Sequence, residues 1–366
     1  MGSLQTCNAD GSSATMTACA LGCGSDASSC AGFTPTNNLA GSLAAAAEAS
    51  PVELPDGATI DSDTGTVTGA TVSSTIVMVQ NISIRVFVAP SWTLPNLRLT
   101  GTNPVAFVAS GKIDVHGTLD ASSPSLASDH GAGAGLADSA CGGASTAMTS
   151  CSGSACGPGA GGGGGGTIGG RGGSYAGNGG AGGEGASGFQ PLVGGCSGGV
   201  VGTAFNAYGG GAVQLVSASE VDVDALINVG GGGGWSFGGG GGAGGNVVIE
   251  APIIEIHSGG GVVANGGGGD GGTTCSQDAA ADGGSGTTSA AGLVCTDPSE
   301  SGGNGGTGST MPTPGNNGSG DNPNGEYGGG GGAVGRVRLA NGSGAVAPDS
   351  GAVMSVAVTN DTLVPN

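Results

Sequence analysis

Gly209-Gly-Gly-Ala-Val-Gln-Leu-Val-Ser-Ala-Ser-Glu-Val-Asp-Val-Asp-Ala-Leu-Ile-Asn-Val229 decides the fold, because the chain repeats it almost at once. The second copy runs Gly244-Gly-Asn-Val-Val-Ile-Glu-Ala-Pro-Ile-Ile-Glu-Ile-His-Ser-Gly-Gly-Gly-Val-Val-Ala-Asn265. Each copy holds two or three short β-branched strands punctuated by small residues, and each ends in a glycine run. An earlier copy spans Pro104–Ala121, where Val105, Phe107, Ile113, Val115 and Leu119 carry the apolar beat, and a truncated one spans Gly332–Leu339. Short strands that repeat with no helical pattern between them predict stacked β rungs, a short parallel β-solenoid of roughly four to six turns.

Upstream, Ile82, Ile84, Val86 and Val88 alternate at period two, as strand residues do. Ala58–Gly69 alternates around a Thr-Gly turn. The expected order is a Cys-rich disulfide knot at 1–32, a linker at 33–53, the β region at 54–356 and a tail at 357–366. Long excursions leave the β region at 122–208 and 266–330.

Glycine dominates the composition: 88 of 366 residues, roughly three times ordinary usage. Aromatics are 3% and charged residues 9%, so side chains alone build a thin core for this length. So much bare backbone must find hydrogen-bond partners. The glycine is patterned. In Tyr175-Ala-Gly-Asn178-Gly-Gly-Ala181-Gly-Gly-Glu184 and in Ser301-Gly-Gly-Asn304-Gly-Gly-Thr307 the non-glycine residues recur every three. A left-handed helix with three residues per turn puts every third residue on one edge and leaves two edges bare for close approach. The pattern therefore predicts polyglycine-II-type helices in a bundle; a flexible glycine linker is the competing reading. Collagen is excluded, because it needs a strict Gly-X-Y repeat rich in proline.

Six Lys and Arg against 26 Asp and Glu give a net charge of -20, which repels nucleic acid and anionic lipid and predicts neither as partner. No stretch has the length and apolarity of a membrane span, so no membrane insertion is expected. Ten cysteines fall in even groups: Cys7, Cys19, Cys23 and Cys30; Cys141, Cys151, Cys156 and Cys196; Cys275 and Cys295. Even local counts predict disulfides within each group and an oxidising, secreted or outer-surface location. The opening residues lack the basic and apolar regions of a signal peptide, so secretion implies a leader outside them.

With these features on the page, the chain resembles the glycine-rich, Cys-containing surface proteins predicted in myxobacteria and related gliding or predatory bacteria. The residues that carry the likeness are Pro35-Thr-Asn-Asn38, Asp61-Ser-Asp-Thr-Gly65 and Gly332-Ala-Val-Gly-Arg-Val-Arg-Leu339. These motifs are structural, and the class brings no catalytic residues to carry over. In glycine pattern alone, the chain is similar to polyglycine-helix bundles of phage adhesins and of an arthropod antifreeze protein.

Aligning the rungs sets Ile113, Val221 and Ile254 in one inward column and Val115, Val223 and Ile256 in another. Between them fall Asp114, Asp222 and Glu255, and beside those His116, Asp224 and His257, all six on the outer face by alternation. Stacked about 4.8 Å apart, they form a carboxylate ladder beside a His–Asp–His ladder. An ordinary solvated strand face is one reading. The other is a site: Ca2+ or another metal on Asp222, Asp224, His116 and His257, or acid and base catalysis on a glycan by Asp114, Asp222, Asp224 and Glu255. Gly266-Gly-Gly-Gly-Asp270 echoes a Ca2+-binding nonapeptide without its repetition. Trp235 and Phe237, inside a glycine run, are candidates for stacking on a sugar.

The expected function is a secreted or cell-surface structural and adhesive protein without a cofactor. It would bind a polysaccharide, a neighbouring cell or further copies of itself. A β-helix polysaccharide hydrolase or lyase is the alternative, and an ice- or mineral-binding surface the third.

Overall fold

The computed structural model describes residues 2–7, 14–19, 21, 31–125, 129–136, 138–145, 158–174, 179–185, 188–202, 207–235, 237–272, 275, 279–316 and 327–366. The protein is mostly β, with three largely parallel sheets and few helices. We call the sheets A, B and C in the order in which each pass from Ile82 onward visits them. The first pass is Ile82–Ala89, Trp92–Leu94 and Leu97–Thr100; the second is Val105–Ala109, Ile113–Val115 and Leu119–Asp120. The third is Ala212–Ser217, Glu220–Val223 and Leu226–Asn228; the fourth is Asn246–Glu250, Ile253–Ile256 and Gly261–Val263. Before them Val52–Glu53 joins sheet B and Ala58–Asp61 joins sheet C, and after them Arg336–Asn341 joins A, Val353–Met354 C and Val358–Thr362 A. The antiparallel strand Ser74–Val79 closes the other end of sheet A.

Each pass sits in register on the last, so like packs on like. Phe87, Phe107, Leu215, Ile249 and Leu339 are successive partners in sheet A. Trp92, Ile113, Val221 and Ile254 are partners in sheet B, and Leu97, Leu119, Ile227 and Val262 in sheet C. These columns point inward and merge into one core. Three aromatics brace it: the Phe87 and Phe107 rings stack at 5.7 Å, and Trp92 meets Phe107 edge-on at 5.3 Å. Trp92, 1% exposed, donates its indole N–H to the Val108 carbonyl at 3.1 Å, so its one polar atom is satisfied inside the core.

The corners between sheets A and B and between B and C are short. The three long glycine-rich connections leave from the corner where sheet C hands over to sheet A: after Asp120, after Asn228 and after Val263. The first and third of these are the excursions expected from the sequence; the second, 229–245, is the glycine run that holds Trp235 and Phe237. In the structure it lies at the centre of the others. Gly240 donates to Gly199 and Ala243 to Cys196; Gly241 donates to Gly330 and Gly244 to Ala333; Gly242 donates to Gly232 and Gly245 to Val229. Residues three apart thus bond the same neighbour, and consecutive residues bond three different neighbours. Gly161 and Gly164 repeat the pattern against Ala144 and Cys141. Approach is close enough that a Cβ on Gly161 would lie 1.8 Å from the Ala181 carbonyl oxygen, and one on Gly302 equally near that of Gly269.

Two disulfides brace these segments, Cys141–Cys196 with Cα atoms 5.7 Å apart and Cys275–Cys295 at 4.6 Å. At the N-terminus Gly2–Cys7 and Ala14–Cys19 form an antiparallel hairpin. The expected knot rests on Cys7, Cys19, Cys23 and Cys30; the side chains of the first two, and Cys23, Cys30, Cys151 and Cys156 altogether, lie outside the described residues.

Residues 33–53 are not a free linker. Phe33 and Leu39 are buried against the outer face of sheet A, where Val86, Ala106, Val108, Ala212, Val216 and Val248 present a second apolar layer. The short helix Ala40–Ala45 and the 3-10 turn Ala46–Glu48 follow on that face. Sheet A is apolar on both faces, as the unbroken run Val86-Phe-Val88 suggests, and the pattern does not say which segment covers the outer one. Under the cover Glu250, 1% exposed, accepts from Arg338 Nη1 at 2.8 Å, Gln214 Nε2 at 2.8 Å and the Thr36 amide at 3.1 Å. A buried carboxylate held by a cation and two further donors is satisfied rather than stranded. The expected tail likewise begins as a strand, Val358–Thr362, paired with Arg336–Asn341.

Candidate functional site

The outer face of sheet B carries the titratable rows. The register pairs Asp114 with Asp222 and Asp222 with Glu255, so the carboxylate column read from the sequence stands in the structure. The inward columns Ile113–Val221–Ile254 and Val115–Val223–Ile256 fix this, since burying one set of alternate residues turns the other outward.

The second column does not form the expected His–Asp–His ladder. His257 reaches across to the previous pass, placing Nε2 2.8 Å from Asp222 Oδ1 and 3.6 Å from Glu255 Oε2. Its Nδ1 lies 3.2 Å from Asp349 Oδ2. Asp349 comes from the loop after the sheet A strand Arg336–Asn341, and its amide donates to the Ile256 carbonyl at 2.9 Å, which holds it beside the ring. The Asp349 carboxylate, with Asp222 and Asp224 nearby, lifts the imidazole above its ordinary pKa against a smaller desolvation effect. His116 and Asp224 are exposed, and His116 belongs to neither group of potential ligands found among the described residues.

Sequence reasoning missed Lys112. Its ammonium sits 2.6 Å from Asp222 Oδ2 and 3.2 Å from Glu220 Oε1. The hydrogen bond to Asp222 raises its pKa, with desolvation opposing. The signal was available: Lys112 and Glu220 stand two residues before Asp114 and Asp222, on the same outer face. Asp349 had no such signal, because no strand places it.

Asp222 is therefore the hub. It is 8% exposed, one oxygen takes the Lys112 ammonium, and the other is buried and accepts no hydrogen bond. The short separation from His257 Nε2 is a contact in distance without the alignment of a hydrogen bond. Asp114 Oδ1 is buried without a hydrogen bond as well. Two sets of ligand atoms lie within 4.8 Å of one another: Asp222, Glu255 and His257, and Asp114, Asp222 and Asp224.

The remaining candidates are elsewhere. Trp235 and Phe237 are half-buried in the glycine segment between the third and fourth passes, Phe237 with φ of 53°. Asp270 is 3% exposed among the glycine segments. It accepts from the Gly238 amide at 3.4 Å, and burial pushes its pKa to about 7 despite bonds from Gly271 and Gly238. No helix among the described residues is long and apolar enough to cross a membrane. Comparison with family models, with curated proteins and with solved structures finds no match to this chain.

Proposed function

We propose that the protein is a secreted or cell-surface structural and adhesive element that binds a polysaccharide, a neighbouring cell or further copies of itself, without catalysis. In this reading the three-sheet coil is a short parallel β-solenoid and the glycine segments are a polyglycine-II-type bundle fused to one of its corners. The observation that carries it is the three-residue hydrogen-bond period of 240–245, which gives each glycine strand three bonded neighbours. A tether needs no such order, whereas a rigid spacer or contact surface does. The two disulfides fit an oxidising compartment, and the acidic surface fits a partner other than nucleic acid.

Two measurements on the oxidised protein test this. Backbone hydrogen exchange at 159–166, 240–245 and 328–335 should be as slow as in the sheets; fast exchange there overturns the rigid-element reading. Incubation with a panel of insoluble polysaccharides should show retention of the protein with no soluble sugar released. Sugar release that disappears in an Asp222→Asn, Asp224→Asn double variant with intact fold would replace adhesion by hydrolysis or elimination.

A further inference from the structure

We infer that Asp222, Glu255 and His257 on the outer face of sheet B form a binding site for one first-row divalent metal ion of the zinc or manganese type. The site stands independently of the adhesive reading, which survives if no metal binds.

Four observations converge on it. First, Asp222 is 8% exposed yet keeps Oδ1 buried and without a hydrogen bond, facing the group. A buried carboxylate oxygen without a hydrogen bond costs about 1–3 kcal/mol, which the misaligned contact with His257 Nε2 at 2.8 Å offsets only in part. Second, Asp114 Oδ1, in the adjoining set that shares Asp222, is in the same condition. Third, the imidazole is oriented as metal-bound histidines are. Asp349 Oδ2 lies 3.2 Å from Nδ1, placed to accept its N–H, so that Nε2, on the side of the carboxylates, is the nitrogen that would release its proton to bind a metal. Fourth, the spacing lies within a few tenths of an ångström of what one ion needs. Donors about 2.1 Å from one ion stand roughly 3.0–3.5 Å apart, and Nε2 is 2.8 Å from Asp222 Oδ1 and 3.6 Å from Glu255 Oε2.

The donor set names the class of ion. Two carboxylates and an imidazole nitrogen suit zinc or manganese, whereas calcium prefers oxygen donors alone and more of them. Lys112 holds the far oxygen of Asp222 at 2.6 Å, so Oδ1 is the one free to bind. Glu255 is half exposed, which leaves the ion open to solvent on one side and to a further oxygen donor from a partner.

The experiment is titration of the full, oxidised chain with Mn2+ at pH 7.5, followed by the loss of the free-ion electron paramagnetic resonance signal. Mn2+ avoids the cysteines, and Zn2+ and Ca2+ are then run as competitors. The expected result is one ion per chain, displaced by Zn2+ more readily than by Ca2+. His257→Gln should weaken binding at least tenfold and His116→Gln should leave it unchanged. Asp349→Asn, acting through the ring, should weaken it by about tenfold. If His257→Gln fails to fold, as checked by circular dichroism, Glu255→Gln replaces it, because that side chain is more exposed. Absence of saturable binding at 1 mM Mn2+ overturns the site and leaves His257 as a surface group among carboxylates. Binding that ignores both variants, or stronger binding of Ca2+ than of Zn2+, overturns it too.

Discussion

The two bodies of this molecule are held together by opposite means. In the three-sheet coil, side chains interlock: Phe107 touches Phe87 and Trp92 across passes, and apolar columns run the length of the stack. In the glycine segments there are almost no side chains to interlock, and backbone amides bind carbonyls in three directions instead. The coil follows the familiar arrangement in which apolar area removed from water drives folding. The bundle shows that a buried region can be specified by what is missing from it. At Gly161, Gly164, Gly244 and Gly302, among others, the absent Cβ is the space in which a neighbouring carbonyl sits.

Substitutions can break this contrast from either side. Phe107→Ala should cost about 4 kcal/mol through cavity formation, read as a lower melting temperature of the sheets. In the bundle a small residue should do what a large deletion does in the coil. Gly161→Ala adds one methyl where a carbonyl oxygen stands 1.8 Å away. It should cost about 3 kcal/mol by overpacking, and hydrogen exchange should place the loss in 159–173 and 179–185 rather than in sheets B and C.

Asp270 sharpens the comparison, since it is a charge within the glycine body. Its native pKa of about 7 lies above the ordinary 3.8, so the native state binds the proton more tightly than the unfolded one. Stability from this group is complete below about pH 4 and is lost as pH rises through 7. The shift bounds the effect near 4 kcal/mol, and relaxation of the surrounding backbone should halve it to about 2 kcal/mol. Asp270→Asn should raise the melting temperature at pH 8, leave it unchanged at pH 4, and flatten the profile between. Smallest should be Lys112→Met on the open face of sheet B. Its side chain is 44% exposed, but losing the ammonium strips the buried Asp222 carboxylate of its hydrogen bond, so the cost should be about 1.5 kcal/mol. Chemical denaturation in low salt should show that difference, and high salt should shrink it.

How much of this was readable differs between the two bodies for the same physical reason. Alternation named Val221 and Val223 as inward and Asp222 as outward, and the registers follow from stacking those columns. The unbroken run Val86-Phe-Val88 marks a strand buried on both faces, but nothing in alternation names the segment from Phe33 as what covers the outer one. The period of three in the glycine tracts was legible at Asn304 and Thr307, yet their neighbours were not. Glycine carries no label that tells one strand which other it will meet. The site was half legible. Asp114, Asp222 and Glu255 came from the repeat. His257 turning to Asp222 depended on Asp349, a loop residue placed by one backbone hydrogen bond.

Because every excursion leaves and re-enters at a single corner, one pass with its glycine loop is a self-contained cassette. Duplicating a segment such as 212–245 would lengthen the coil by one strand spacing, about 4.8 Å, and thicken the bundle beside it in the same event. Neither existing end would need to change. The architecture can therefore be resized by copying, much as a wall is extended by another course of bricks, with reach and girth growing together.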